Sequence, residues 1–260
     1  MKNFNKIWNN FLEESDLDAS GLSIKNNLHP KFWSKGQISP NVRRKLLKIV
    51  QNVTENLNIE ENIKDIIVTG SIASYNWHDM SDIDLHILLD FSEIDENAEL
   101  VEKYLNSQKT LWNKNHMIMI NDHEVEIYFQ DINEKHKSLG TYSLMMGSWL
   151  QKPTRDNVEL DIATAEKKAK AIDSEIGSIQ NLFGEKKFKL VYNLAEKLKN
   201  KIKNMRVSGL TNDGIHSPEN LAFKLLRNNG LLEILSSLKN LSYDKMMSSS
   251  NLTIKISKNV

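Results

Sequence analysis

In the first sixty residues, the apolar pattern predicts two helices separated by a loop. Apolar residues recur at helical spacing across residues 2–18, and this spacing predicts a first helix. The next stretch, residues 18–39, contains Gly21, Pro30 and Gly36 and is typical of a loop. Ser39-Pro40 then predicts the start of a second helix, running to about residue 58, because serine can cap a helix and proline fits its first position.

The period changes to that of strands between residues 63 and 91, where two apolar runs flank a polar connection. A helix is predicted over residues 96–115, followed by short strands at 116–120 and 123–130. Asn121-Asp122 separates these two strands and favours a two-residue hairpin turn, since both residue types tolerate positive φ.

From residue 139 onward the pattern predicts helices only. We expect them over residues 160–183, 186–207 and 218–239, the last capped by Ser217 with Pro218 at its first position, followed by an irregular tail at 242–260. These elements predict a domain over residues 1–150, with its core at 60–135, and a helical domain over 151–260.

Composition limits the protein class without naming a function. The 260 residues are 40% hydrophobic and 26% charged, as in an ordinary globular protein. No window reaches the roughly 18 apolar residues of a membrane span, and the first fifteen residues lack the apolar core of a secretion signal, so we expect a cytoplasmic location and no membrane partner. The absence of cysteine excludes disulfides, thiolate catalysis and cysteine-based zinc sites.

The zero formal net charge hides two segments of opposite sign. Residues 90–135 hold 11 acids against 4 lysines, whereas residues 166–206 hold 5 acids against 11 lysines and arginines. An acidic segment beside a metal and a basic segment elsewhere suit a cleft that accepts polyphosphate or RNA, although solvated helix faces would give the same counts.

The candidate chemistry lies between Ile66 and Leu89. Asp82 and Asp84 enter an apolar strand, where alternate residues share a face and stand about 6.6 Å apart, close enough to hold one or two Mg²⁺ ions between them. Gly70 permits a tight turn and close backbone approach, and Ser71 can offer a hydroxyl to phosphate and open a short helix that attracts anions.

Gly70-Ser71, ten intervening residues and Asp82-x-Asp84 resemble the signature of the DNA polymerase β-like nucleotidyltransferase superfamily. The resemblance implies an α/β (α+β) fold with a small mixed sheet, N-terminal helices and a C-terminal helical region. It also implies transfer of a nucleoside monophosphate from an NTP to a hydroxyl, with release of pyrophosphate. The segments LHPKFW, TGSIASYNW and EVEIYFQD extend the resemblance to uncharacterised nucleotidyltransferases found in phage genomes.

The resemblance further implies a third carboxylate on a neighbouring strand and two Mg²⁺ (or Mn²⁺) ions at the site. Glu126 is the predicted third acid, since it lies between apolar strand residues, and Glu124 on the same strand face is the alternative. Asp131, at the end of this strand, is a weaker candidate. The superfamily often uses aspartate at this position, so glutamate departs from its pattern.

Several neighbouring residues admit both a functional and a structural interpretation. Ser81 can bond phosphate or orient the turn, and His86 can contact a phosphate or satisfy its neighbours. The connecting residues Tyr75, Asn76 and Trp77 can stack on a base, but packing of the segment is the more common role.

The acceptor is left open by the sequence. An RNA 3′ end is slightly favoured by the basic segment at 166–206, with a protein hydroxyl, a small molecule and a second nucleotide as alternatives. A nucleotide- or RNA-binding module without turnover, such as a repressor, antitoxin or sensor, is the alternative from a different class. The sequence does not indicate an oligomeric state.

Overall fold

The computed structural model describes residues 17–134, 138–155 and 157–248. The helix predicted over residues 2–18 lies outside these ranges except for residues 17 and 18, which are not helical. The described residues form two compact units, one of residues 20–157 and one of residues 158 onward together with residues 17–19. The domain division expected at residues 150 and 151 stays a prediction.

The first unit contains a six-stranded mixed sheet with strand order β5-β6-β4-β3-β7-β8. Its strands are β3 Ile63–Thr69, β4 Ile83–Leu89, β5 Met119–Ile120, β6 His123–Asp131, β7 Thr141–Ser143 and β8 Ser148–Gln151. Strands β4 and β6 are parallel, and the other neighbouring pairs are antiparallel. A separate hairpin pairs β1 Trp33–Ser34 with β2 Gln37–Ile38. The predicted α/β (α+β) class with a small mixed sheet is confirmed.

Three helices accompany the sheet in this unit: α1 Pro40–Glu55, α2 Phe91–Ile94 and α3 Ala98–Asn115. Helix α1 starts with Pro40 as predicted, but the Ser39 side chain makes no capping hydrogen bond. Apolar residues of α1 and α3 share one buried cluster with the sheet residues Val68, Leu85 and Ile127. This cluster covers one sheet face, and Asp84 and Glu126 lie on the other face.

The second unit is helical, with α4 Ile162–Gly184, α5 Phe188–Asn212, α6 Pro218–Asn228 and α7 Leu231–Met247. The predicted cap of α6 is confirmed, because the Ser217 side chain accepts a hydrogen bond from the backbone N–H of Asn220 at 3.2 Å. Within the described ranges, no helix combines the length and the apolarity needed to cross a membrane.

Three predictions of secondary structure from residue 139 onward are wrong. Residues 242–247, expected in the irregular tail, belong to helix α7, which ends at Met247. Residues from 139 onward are not helical throughout, because β7 and β8 add two antiparallel strands to the sheet before the helices begin. The single helix expected over residues 218–239 is two helices, since Gly230 adopts a φ of 72° and breaks the chain between α6 and α7. The hairpin turn at Asn121-Asp122 is confirmed, with φ values of 52° and 70°.

Candidate active site

The two aspartates lie on the side of strand β4 that points away from the buried cluster. Ile83, Leu85, Ile87 and Leu89 are fully buried and alternate with partly exposed residues, so Asp84 points away from the core. Asp82 immediately precedes the strand and is also partly exposed. Side chains two residues apart share a strand face, which places both carboxylates on the same side of the sheet.

Strand β6 places Glu126 beside them. Asp84 and Glu126 are direct partners in the parallel register of β4 and β6, and neighbouring strands lie about 4.8 Å apart. Glu124 precedes Glu126 by two residues on the same face. Asp131 pairs with Leu89 at the opposite end of the strands, well away from Asp84. The structure therefore brings Asp82, Asp84 and Glu126 together and leaves Asp131 apart.

Gly70, the residue after β3, lies against the side chain of Asp84. Its φ is +73°, and a Cβ atom at this position would lie 1.8 Å from Oδ2 of Asp84. Only a residue without a side chain fits between the turn and this carboxylate. The glycine of the sequence motif is therefore required both by the backbone conformation and by the space that Asp84 occupies.

The turn after Gly70 is joined to the residue before Asp82 by two serines. The Ser71 and Ser81 hydroxyls are hydrogen-bonded at 2.9 Å, and Ser81 Oγ also accepts the backbone N–H of His78 at 3.0 Å. The short helix expected after Ser71 does not form: residues 70–73 make a turn that is closed by a 3.0 Å bond from Ser74 N to Ser71 O. The anion-attracting helix terminus is therefore absent here, and the hydroxyls and the turn backbone remain.

Tyr128 is a site residue to which sequence reasoning gave no role. Its hydroxyl donates a 2.6 Å hydrogen bond to Oε2 of Glu126, and its ring stacks on His86 at a centroid distance of 4.7 Å. Burial, the bond to Glu126 and the negative charge of Asp84 raise the pKa of Tyr128, so its hydroxyl stays protonated and donates a hydrogen bond. Its place two residues after Glu126, on the same strand face, was the available signal.

His86 takes a supporting position in this group. Its Nδ1 atom lies 2.8 Å from Oε1 of Gln130, while its ring lies against Tyr128. These contacts agree with the structural interpretation of His86, in which its ring makes hydrogen bonds and packing contacts with neighbouring side chains. The stacking also supports the ring of Tyr128.

A cluster of aromatic rings supports the segment that leads to Asp82. His29 packs edge-on against Trp77 and His123, with centroid distances of 4.2 and 4.7 Å. His123 Nδ1 lies 2.7 Å from the backbone oxygen of Ser81. Trp77 donates its indole N–H to Asn27 O at 2.8 Å, which fits packing rather than base stacking. Burial, reinforced by the charges of His123 and Lys31, lowers the pKa of His29 to about 4.

The chemistry of the carboxylates fits a divalent-metal site. In the part of the chain that the structure describes, no group of three His, Cys, Asp or Glu side chains is placed to hold a metal ion by itself. Mg²⁺ prefers oxygen ligands and is usually held by one or two carboxylates together with substrate phosphates. Asp82 and Asp84, on the same face as Glu126, supply that donor type.

Comparison with known proteins agrees with this geometry over part of the chain. Residues 44–138 match the family model described as a nucleotidyltransferase domain, and this segment contains Gly70, Ser71, Asp82, Asp84 and Glu126. No curated protein matches the chain.

A solved structure that matches is that of the STING-associated CdnE c-di-GMP synthase from Capnocytophaga granulosa, at 13% sequence identity. The match covers 94% of this chain and 99% of that one, with a TM-score of 0.19, a value at which the likeness supports no conclusion about this chain. The family match, together with the paired acidic strands, identifies residues 44–138 as a nucleotidyltransferase domain of the DNA polymerase β-like superfamily, and the chain is an enzyme of this class.

Proposed function

We propose that this enzyme moves a nucleoside monophosphate from an NTP to an acceptor hydroxyl on the sheet face formed by Asp82, Asp84 and Glu126. The observation that carries the proposal is the direct register of Asp84 with Glu126, inside the segment that matches the nucleotidyltransferase model. The register sets carboxylates from two strands beside one another on one sheet face. A triphosphate bound at this face would lie near both.

The proposal includes Mg²⁺ or Mn²⁺ held by Asp82, Asp84 and Glu126 together with the NTP phosphates. When bound, the metal ion supplies charge stabilisation for the attacking and leaving oxygens. Support comes from the donor set, because three carboxylates offer the hard oxygen ligands that these ions prefer.

The chain's own residues would position the reactants. The acceptor oxygen forms a bond to the α-phosphorus, the bond to the bridging oxygen breaks, and pyrophosphate leaves with that electron pair. Glu126 would receive the acceptor's proton, held in orientation by the Tyr128 hydroxyl at 2.6 Å. Ser71 and Ser81, already bonded to each other at 2.9 Å, would turn their hydroxyls to the phosphates.

For the acceptor we propose an RNA 3′ end. The support is the excess of basic residues over residues 166–206. On α5, Lys189, Lys197 and Lys203 are exposed and have no carboxylate partner among the described residues. Exposed cations of this kind bind the phosphate backbone without regard to sequence, and their contribution falls as salt rises.

Pyrophosphate release tests the reaction. The protein is incubated with each NTP in turn, Mg²⁺ and total RNA, and the wild type is compared with Asp82→Ala plus Asp84→Ala. The matched control changes two other acids of the same unit, Asp79→Ala plus Asp95→Ala. We expect release by the wild type and the control only. Pyrophosphate release by the Asp82→Ala plus Asp84→Ala variant would contradict the assignment of these aspartates to the active site.

Calorimetry of NTP binding separates the enzyme from a binding module. Binding that strengthens with Mg²⁺ and depends on Asp82 and Asp84 supports catalysis at this face. An NTP affinity that is the same with and without Mg²⁺ and in the aspartate variants, with no pyrophosphate released, would support the non-catalytic module instead.

A further inference from the structure

A second concave site lies on the side of the sheet that faces away from the carboxylates. An open cavity of about 880 Å³ is lined by α1 from Pro40 to Gln51, the β1–β2 hairpin and the turn between β7 and β8. Its wall includes Tyr142, which is paired with Val68 in the sheet register. Val68 is paired with Leu85, a buried neighbour of Asp84 on the opposite face, so the cavity and the acidic face are separated by the sheet.

Cations line this cavity, and the lining contains no acidic residue. Arg43 is fixed in the wall, because its Nε donates to the backbone oxygen of Leu144 at 2.7 Å. Arg44 and Lys48 are exposed and have no carboxylate partner among the residues that the structure describes. Two uncompensated charges beside a concave surface attract an anion of the cavity's size.

The other walls offer an apolar surface and two amide groups. Leu47 and Met146 are apolar lining residues, and Met146 is 69% exposed. Gln37 accepts the Tyr142 hydroxyl at 2.6 Å through its oxygen, which leaves its NH₂ group to donate. Gln51 donates to Glu55 at 2.6 Å, which leaves its carbonyl oxygen to accept. One donor and one acceptor beside apolar side chains can bind the edge of a heterocyclic base.

We propose that this cavity binds a free nucleoside triphosphate at a site separate from the catalytic face. The phosphates lie against Arg44 and Lys48, and the base lies against Leu47 and Met146 within reach of the two amides. A volume of about 880 Å³ is in the range of small-molecule sites and far larger than an isolated phosphate requires. The proposal does not depend on the reaction assigned to Asp82 and Asp84.

Calorimetric titration of the full-length protein in EDTA tests the site without metal-dependent binding at the acidic face. The probes are the four nucleoside triphosphates, inorganic triphosphate and a short oligoribonucleotide. We expect at least one nucleoside triphosphate to bind with a stoichiometry of one, and more tightly than inorganic triphosphate. No binding of any nucleoside triphosphate, or equal binding of inorganic triphosphate, would overturn the proposal, and tighter binding of the oligoribonucleotide would replace it with a nucleic-acid surface.

Matched variants locate the site. Arg44→Gln plus Lys48→Gln should weaken binding at least about tenfold, since two charge-assisted contacts are lost. Lys45→Gln plus Lys114→Gln removes the same charge from exposed positions outside the cavity and should leave binding unchanged. Equal weakening in both pairs, or weakening by Asp82→Asn plus Asp84→Asn instead, would contradict the assignment.

A second pair of variants tests the opposite wall. Met146→Glu places a negative charge in the cavity and should weaken binding, whereas Met145→Glu, a neighbour that does not line the cavity, should not. Retained binding in Met146→Glu would contradict the proposed position of the base. Thermal melts of each variant verify that it is folded.

Discussion

Gly70 lies so close to the carboxylate of Asp84 that a Cβ atom at residue 70 would be 1.8 Å from Oδ2 of Asp84. The two residues belong to the motif's two halves: Gly70 directly follows β3, and Asp84 is the second residue of β4. Their contact explains why the motif needs a glycine at this position, because any side chain would displace the carboxylate. It also explains why the turn cannot shift without moving Asp84.

Gly70→Ala is expected to reduce nucleotidyl transfer by about 100-fold, because displacing a reacting group by an ångström can cost that much. The positive φ of +73° adds a loss of about 1–2 kcal/mol in the free energy of unfolding. Gly36→Ala is the matched control, since Gly36 has a φ of +76° with nothing within 4 Å of the added Cβ. It should lose similar stability and keep its activity; equal activity loss in both variants would argue against the steric explanation.

Glu126→Gln should slow transfer by about 100-fold or more, since it removes the proposed proton acceptor while preserving size. Glu124→Gln removes an equal charge from the same strand face and should change the rate by less than about threefold. Steady-state rates with saturating NTP and Mg²⁺ measure the difference. The reverse order of effects would make Glu124 the third carboxylate.

Tyr128→Phe should lower the rate by about tenfold, because a hydrogen bond to a charged group is worth roughly 1.5–3 kcal/mol and its loss frees the Glu126 carboxylate to rotate. The ring stays stacked on His86, so the melting temperature should change little. Tyr104→Phe, at a side chain that is 50% exposed, serves as the control. A full rate in Tyr128→Phe would show that Glu126 does not need this support.

Acidification should weaken the fold through His29. Its pKa is about 4 in the folded state against 6.5 in the unfolded chain, so the unfolded state binds more protons between these values. The free energy of unfolding therefore falls as pH decreases from 6.5 to 4. Urea titrations across this window should show a smaller decrease for His29→Gln than for the wild type. His116→Gln, at an exposed ring, should retain the wild-type slope; identical slopes in all three proteins would contradict this origin.

The part of the site that lies on strands β4 and β6 was predictable, because the sequence features that indicate it are local. Apolar alternation around Asp84 and around Glu126 identifies two strands with acids on one face, and Asn121-Asp122 fixes the turn before β6. The Ser71 turn was not, since the serine bonds to Ser81 ten residues away in place of starting a helix.

The remaining errors also reflect distant contacts or short elements. Strand β7 has only three residues, which is too short for a recognisable apolar period. Its place in the sheet depends on pairing with β3, more than seventy residues earlier in the chain. The break at Gly230 did have a local signal, the run Asn228-Asn229-Gly230, which outweighs the apolar spacing on either side. The role of Tyr128 depends on a side-chain contact that no sequence pattern specifies.

The central claim is that the face formed by Asp82, Asp84 and Glu126 transfers a nucleoside monophosphate, and the position of a phosphorus label tests it most directly. The protein is incubated with total RNA, Mg²⁺ and an NTP labelled either at the α- or at the γ-phosphate. We predict that only the α-label becomes attached to an acceptor, and that Asp82→Ala plus Asp84→Ala abolishes the attachment. Transfer of the γ-label, or transfer of the α-label that persists in the double variant, would contradict the claim.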